Sequence, residues 1–247
     1  MPFGYTEPGV FEDEQRLVFY DCDRHKNAKL SSLLKYVSEL AGRDYTEKGL
    51  SHEHLWEEGW VFLVSRMTFK LHRMPVYKEQ LRLRTWEHGK QGAQFLRFAE
   101  MLDEAGNVLV DAQTAWLLCD PVTRRIVRPS RFTEGQLQRM DLDVAAPEPG
   151  KLAFTCTPEN LLGERPVRYT DLDANGHVYN AVYADIASDF APSSLFEGVL
   201  KEFHINFVSE AKDGDTLQIH GAQEGNGVLV CGEIEGRRCF ETALIVE

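Results

Sequence analysis

The sequence has no apolar run approaching the ~18 consecutive residues that a membrane span needs. It also lacks a basic-then-apolar leader, since Glu7, Glu12, Asp13 and Glu14 all precede the first base, Arg16. A cytoplasmic location and no membrane partner are therefore expected. Cysteine is scarce. The five residues, Cys22, Cys119, Cys156, Cys231 and Cys239, are odd in number and form no CxxC pair. That pattern indicates neither a disulfide framework nor a zinc site, and reduced, mostly buried thiols are expected. Bases are outnumbered, 27 Lys and Arg against 39 Asp and Glu, and without a basic face to neutralise phosphate, nucleic acid is excluded as a partner. Compositional extremes are missing too. With 43% hydrophobic and 27% charged residues over 247 positions, disorder, collagen and coiled coil fit poorly, and one large or two ordinary domains fit well.

What is present becomes informative once it is divided along the chain. Through Arg139 there are 20 bases and 20 acids, whereas from Met140 onward there are 7 and 19. The second half carries the whole imbalance, so an acidic protein partner should prefer the first half. Between the halves, MDLDVAAPEPG at 140–150 has prolines, a terminal glycine and little apolar periodicity. It reads as a linker. The expected domains are 1–140 and 151–247, with 141–150 between them.

The flanks of this linker resemble each other. FYDCDRHKNAKLSSLLKYVSELA can be laid on YTDLDANGHVYNAVYADIASDF, matching Asp21 and Asp23 to Asp171 and Asp173 at a constant offset of 150 positions. Each Asp-rich turn opens a helical pattern, and in the first Leu30, Leu33, Leu34, Val37 and Leu40 define one apolar face. Strand-like runs follow in both halves: WVFLVSRMTFKLH, EQLRLRTWEH, QFLRFAEML and VLVDAQTAWLLCD, then KEFHINFVSE, DTLQIHGAQ, GVLVCGEIE and RRCFETALIV. A leading strand, one long helix and a meander, twice over, predicts an α+β fold in which a sheet wraps each helix.

In the second copy Asp173, Asn175 and His177 alternate in the turn before the helix. Such a turn suits chemistry, because unpaired N–H groups at a helix start can stabilise an oxyanion. The same residue types are also ordinary turn and cap formers.

RYTDLDANGHVYNAVY resembles the LDxNxHVxN motif of the acyl-acyl carrier protein (acyl-ACP) thioesterases, which have a double hotdog fold. WVFLVSRMTFKLHRMPVYKEQLRLRTWE resembles the segment after that family's first hotdog helix, and FHINFVSEAKDGDTL the segment bearing its catalytic glutamate. The resemblance runs from about Arg16 to Leu217 and implies two tandem hotdog repeats. It implies Asp173, Asn175, His177 and Glu210 as the catalytic group, with the acyl pocket in the first repeat, where Trp60, Phe62 and Val64 become candidate lining residues. Backbone N–H groups at the start of the second copy's helix, near Val178, are the expected oxyanion site. An acyl carrier protein carrying a fatty acyl chain is the implied partner, and no metal or other cofactor is called for. Homodimerisation is left open.

The first copy has Asn27 opposite His177 and Met74 opposite Glu210, so one active site is expected. Plant members carry a cysteine directly after the glutamate. Here the position is Ala211, which leaves direct hydrolysis by activated water. Two alternatives remain. FYDCDRHKN resembles the turn of 4-hydroxybenzoyl-CoA thioesterase-like hotdogs, in which Asp23 would serve a coenzyme A thioester; or the fold binds an acyl chain without cutting it. His52 and His54 in SHEHLWEE lack matching distant ligands and read as part of a solvated helix.

Overall fold

Alternating apolar positions put a large share of this chain into strands. The computed structural model describes residues 4–132 and 137–247, and its chain divides into two compact units, 1–28 with 35–149 and 29–34 with 150–247. In chain order the elements are β1 (Gly4–Glu7), β2 (Val10–Arg16), α1 (Leu30–Glu47), α2 (His52–Glu57), β3 (Val61–Leu71), β4 (Gln80–Gln91), β5 (Gln94–Leu102) and β6 (Val108–Cys119). They continue with β7 (Leu161–Pro166), α3 (Asn180–Phe190), β8 (Leu200–Phe207), β9 (Thr216–Glu224), β10 (Gly227–Ile234) and β11 (Arg237–Val246).

The first unit orders its antiparallel strands β1-β2-β4-β5-β6-β3, and the second β8-β11-β10-β9-β7. Reversing the second list makes the correspondence plain. In each unit the strand before the helix pairs with the second strand of the meander, and the first strand of the meander pairs with the fourth. This is the hotdog arrangement that the family resemblance implies, given twice.

The apolar face read from α1 is buried: Leu33, Leu34, Val37 and Leu40 are at most 2% exposed. In α3 the buried positions include Ala181, Ala184 and Ala187, whose small side chains allow close approach to the sheet. Tyr183 from the same face lies 4.9 Å from Phe240 and 6.2 Å from Phe207, ring centre to ring centre.

Segment 140–150 is tied along the first unit rather than hanging free. Met140 N–H donates to Glu87 O (2.8 Å), Trp86 Nε1 to Leu142 O (3.0 Å), Gln113 Nε2 to Ala146 O (2.6 Å), and the Thr68 hydroxyl to Pro147 O. Prolines suit such a path, because a segment bonded through its carbonyls loses nothing where an N–H is missing. The His52 to Glu57 stretch is helical, yet it is not simply solvated: Leu55 is buried with Leu50, Phe95, Leu118 and Phe132, and His52 stacks on Trp56.

Candidate active site

Each unit carries the same turn before its helix, built by an aspartate that folds the backbone around its own carboxylate. Asp173 Oδ1 accepts the N–H groups of Asn175 (2.8 Å) and His177 (3.2 Å), while Asp173 N–H donates to His177 O (2.8 Å). Asp23 does the same with His25 N–H (2.8 Å) and Asn27 N–H (2.9 Å). The turn needs one left-handed residue, filled by Gly176 (φ 77°) in the second unit and by Lys26 (φ 65°) in the first. Glycine takes that conformation without a Cβ clash, and lysine does so at a cost.

The loop after the first strand of the meander closes on this turn. Val178 N–H donates to Ala211 O (2.9 Å), as Ala28 N–H does to Pro75 O (2.8 Å) in the first unit. That equivalence sets Met74 opposite Glu210 and agrees with the sequence alignment of the repeats. On the second copy the turn and loop bring His177 Nε2 to 3.1 Å from Glu210 Oε2. The imidazole is mostly sheltered and the carboxylate 37% exposed, so one group is held and the other meets water. Arg237 fixes the loop from behind, donating to Glu210 O (2.9 Å), and Ala211 N–H donates to the Tyr183 hydroxyl (3.2 Å). Burial raises the Tyr183 phenol, which keeps it neutral. Below the turn, Asp171 accepts from Arg165 (2.8 Å) and Arg168 N–H (2.7 Å). Burial alone would raise its carboxyl, but these partners hold it under its ordinary range.

Of the four candidates, His177 and Glu210 meet side chain to side chain, Asp173 shapes the turn that carries His177, and Asn175 sits exposed at the tip. The expectation for Val178 is corrected. Its N–H is committed to Ala211 O and that of Tyr179 to Asp171 O (2.8 Å), so neither is free for an oxyanion. Arg237 and Tyr183 were not singled out in the sequence, since each acts on the backbone of the glutamate loop and carries no motif of its own.

A cavity of about 390 Å3 opens in the first unit. Trp60, Phe62, Phe95 and Trp116 line it, and Phe62 packs edge-on against Phe95 (5.1 Å) and Phe132 (5.3 Å). Val64, two residues further along β3, is buried. Glu39, Arg43, His52 and Glu53 surround the exposed side, whereas the lining also includes Glu87 and Arg97, which are only 3% and 2% exposed. Arg97 reaches Asp44 (2.6 Å), Glu87 and Thr85 (3.1 Å), with its guanidinium 5.0 Å from the Tyr45 ring centre. Lys48 (2.7 Å) and the Tyr5 hydroxyl (2.6 Å) complete the shell around Asp44.

Position 211 is a fully buried corner held through both its N–H and its carbonyl. Burial raises the thiols of Cys119, Cys156, Cys231 and Cys239, which disfavours thiolate. Cys239 lies closest to the glutamate loop, 3.7 Å from Ser209 Oγ. Cys239→Ala should leave turnover within a few-fold of wild type. A loss on the order of 100-fold, the scale of a catalytic group, would make that thiol part of the chemistry.

Fold and site together define a double hotdog protein with one elaborated turn. Residues 8–131 match the family model described as the acyl-ACP thioesterase N-terminal domain, and residues 157–236 match that of the C-terminal domain. The chain belongs to the acyl-ACP thioesterase family. An acyl-ACP thioesterase from Bacteroides thetaiotaomicron superposes with a TM-score of 0.86 at 20% identity, covering 96% of this chain and 98% of that one. The 12:0-ACP thioesterase from Umbellularia californica gives 0.78 at 15%, covering 96% and 97%. In sequence, a chloroplastic palmitoyl-acyl carrier protein thioesterase from Arabidopsis thaliana is 22% identical over 245 residues, 92% of this chain, and one from Gossypium hirsutum is 23% identical over 201, or 76%. The chain spans 59% and 48% of those two relatives. Among the described residues no helix is long and apolar enough to cross a membrane.

Proposed function

We propose that this protein hydrolyses the thioester of fatty acyl-ACP, releasing free fatty acid and holo-ACP and so ending chain elongation. The observation that carries the reading is the 3.1 Å contact of His177 with Glu210, inside the stretch matched to the family's C-terminal domain and replaced in the other repeat by Asn27 and Met74. Glu210 takes a proton from water as the oxygen attacks the thioester carbonyl carbon. The tetrahedral oxyanion collapses, the C–S bond breaks, and the departing thiolate receives a proton from the His177–Glu210 pair. Asp173 holds His177 in place. Asn175 at the turn tip orients the carbonyl or the water. With Val178 and Tyr179 committed elsewhere, the first amides of α3, Asn180 and Ala181, take the oxyanion role, as the opening N–H groups of a helix have no partner inside it.

In this reading the first unit supplies the acyl pocket, with Trp60 and Phe62 on its wall, and the protein works in the cytoplasm. Incubation with acyl-ACPs of several lengths, alongside the matching acyl-CoAs, tests it. Free fatty acid should form with acyl-ACP and more slowly with acyl-CoA; hydrolysis of acyl-CoA alone would favour the Asp23 reading, and none of either a binding protein.

The carrier is acidic, and so is this chain, so docking needs a local basic surface. Arg124, Arg125, Arg128 and Arg131 are all exposed after β6, and the next residue, Phe132, is buried in the aromatic cluster of the cavity wall. Charge reversal of Arg124 and Arg125 is expected to raise KM for acyl-ACP, most strongly at low salt, and to leave a carrier-free short acyl thioester unaffected. Equal losses on both substrates would assign the arginines to the fold or the chemistry.

A further inference from the structure

A second cluster of chemically competent side chains lies in the second unit and shares no residue with the candidate active site. His220 on β9 stands directly opposite Cys231 on β10, and Glu233 follows on the same face two residues later. Cys156 reaches the cluster from the segment before β7, with its Sγ 2.9 Å from that of Cys231. Ligand atoms of Cys156, His220 and Glu233 all lie within 4.8 Å of one another.

The histidine is prepared in a specific way. Its Nδ1 faces two acceptors, Asn160 Oδ1 at 2.9 Å and Thr157 O at 3.1 Å. The Asn160 amide is oriented by its own bonds, Oδ1 accepting from Thr157 N–H (2.9 Å) and Nδ2 donating to Thr155 O (2.8 Å). Nδ1 is therefore the donor, and Nε2 is the nitrogen turned toward the cluster. That atom is buried without a hydrogen-bond partner among the described residues, in a side chain only 7% exposed, and its nearest carboxylate, Glu233 Oε1, stands 3.7 Å away. A metal-bound histidine has this pattern: one nitrogen donates to a fixed oxygen and the other is aimed at the ion.

We propose that Cys156, His220 and Glu233 hold a structural zinc ion, with Cys231, whose Sγ lies 2.9 Å from that of Cys156, turning toward it as the fourth ligand. Thiolate, imidazole and carboxylate are the donor types of tetrahedral zinc, and four protein ligands close the site in the manner of structural rather than catalytic centres. Bond lengths of 2.0–2.3 Å place neighbouring ligand atoms of a tetrahedron about 3.4–3.8 Å apart. His220 Nε2 and Glu233 Oε1 stand 3.7 Å apart, near that spacing; the two sulfurs must part by about 0.9 Å, and Cys231 Sγ, which lies outside the group held within 4.8 Å, must rotate inward, shifts that Cys156 on its irregular segment helps to take up. Two thiolates and one carboxylate would leave the zinc complex with one negative charge. Arg238 offsets it, donating to Cys156 Sγ at 3.2 Å. The ion would fasten the 150–160 stretch to the sheet, and the sites at which thiols deprotonate on binding would release protons.

Cobalt(II) is the probe, added to full-length protein stripped with a chelator and kept reduced. Expected are the visible bands of tetrahedral cobalt and an intense near-ultraviolet thiolate-to-metal transition, displaced by one equivalent of zinc. Cys156→Ser should lose roughly half of the near-ultraviolet transition, as one of two thiolate ligands is removed. Asn160→Ala, which removes no ligand, should weaken zinc by roughly 10–100-fold by releasing the imidazole, with circular dichroism confirming the fold. Folded, fully reduced protein that shows no thiolate-to-cobalt transition would overturn the site, as would unchanged affinity in Cys156→Ser or a Cys156–Cys231 disulfide that persists when zinc is supplied. None of these readouts depends on turnover, so failure of the thioesterase reading would leave them intact.

Discussion

Glu210→Gln is expected to lower kcat on acyl-ACP by at least ~100-fold, the scale of losing a general base, with little change in stability. The substitution keeps size and hydrogen bonding, and the carboxylate is 37% exposed, so the variant should fold. The main-chain carbonyl that receives Arg237 is untouched. His177→Asn recreates the side chain of the first repeat and should fall on the same scale, because it removes the imidazole that stands 3.1 Å from Glu210. Asp23→Ala should retain most activity. Asp173→Ala would lose the acceptor of two backbone N–H groups and thus damage the turn as well as the rate, so it separates the roles less cleanly. Measured kcat and KM across the set decide the matter: near-normal turnover by folded Glu210→Gln would sink the assignment, and a large loss in Asp23→Ala would move the chemistry to the other repeat.

The largest stability effect is expected at Arg97. Asp44 and Glu87 are both buried against its guanidinium, and Arg97→Met would take the cation from Glu87 and leave Asp44 with Lys48 alone. Breaking a buried pair in this way costs about 3–5 kcal/mol, readable as a fall in the urea midpoint. Replacing Asp44 and Glu87 by apolar residues in the same protein should recover much of it. The pH dependence follows from the sign of the shift. Burial alone would raise the Asp44 carboxyl, but Arg97 and Lys48 outweigh it and hold the group below its ordinary range. Its contribution is complete above the unfolded value of about 3.9 and is lost as pH falls through the lower folded value. An Arg97→Met protein as stable as wild type at neutral pH would refute the argument.

Strand positions were legible from short apolar runs bounded by turn residues, and β5 and β11 coincide with the stretches read from the sequence. The helix face of α1 was equally plain. Glu210 was not legible by itself. It lies past the end of β8, in a loop whose shape depends on Arg237, Tyr183 and the Val178–Ala211 bond, none of which is local in sequence; only the family resemblance singled it out. The Val178 expectation failed for the same reason, since an N–H just before a helix is free only if no other loop claims it. Segment 140–150 read as a linker because carbonyl-side bonding leaves no periodic pattern. The cysteine cluster escaped because its members come from three separate stretches and become neighbours only through strand pairing.

The charged wall of the first unit's cavity has a further consequence for any acyl chain lodged there. A ruler made from a bulky side chain stops a chain by collision, and trimming that side chain lengthens the product. Here the apolar lining gives way to Glu87 and Arg97, whose partners already use their hydrogen-bonding capacity. A methyl terminus pressed against them gains no burial and strips polar groups of favourable surroundings. Selection by length would then be graded, set by the cost of desolvation per added carbon, and widening the cavity beside Phe62 would broaden the range of chains more readily than it would shift the optimum.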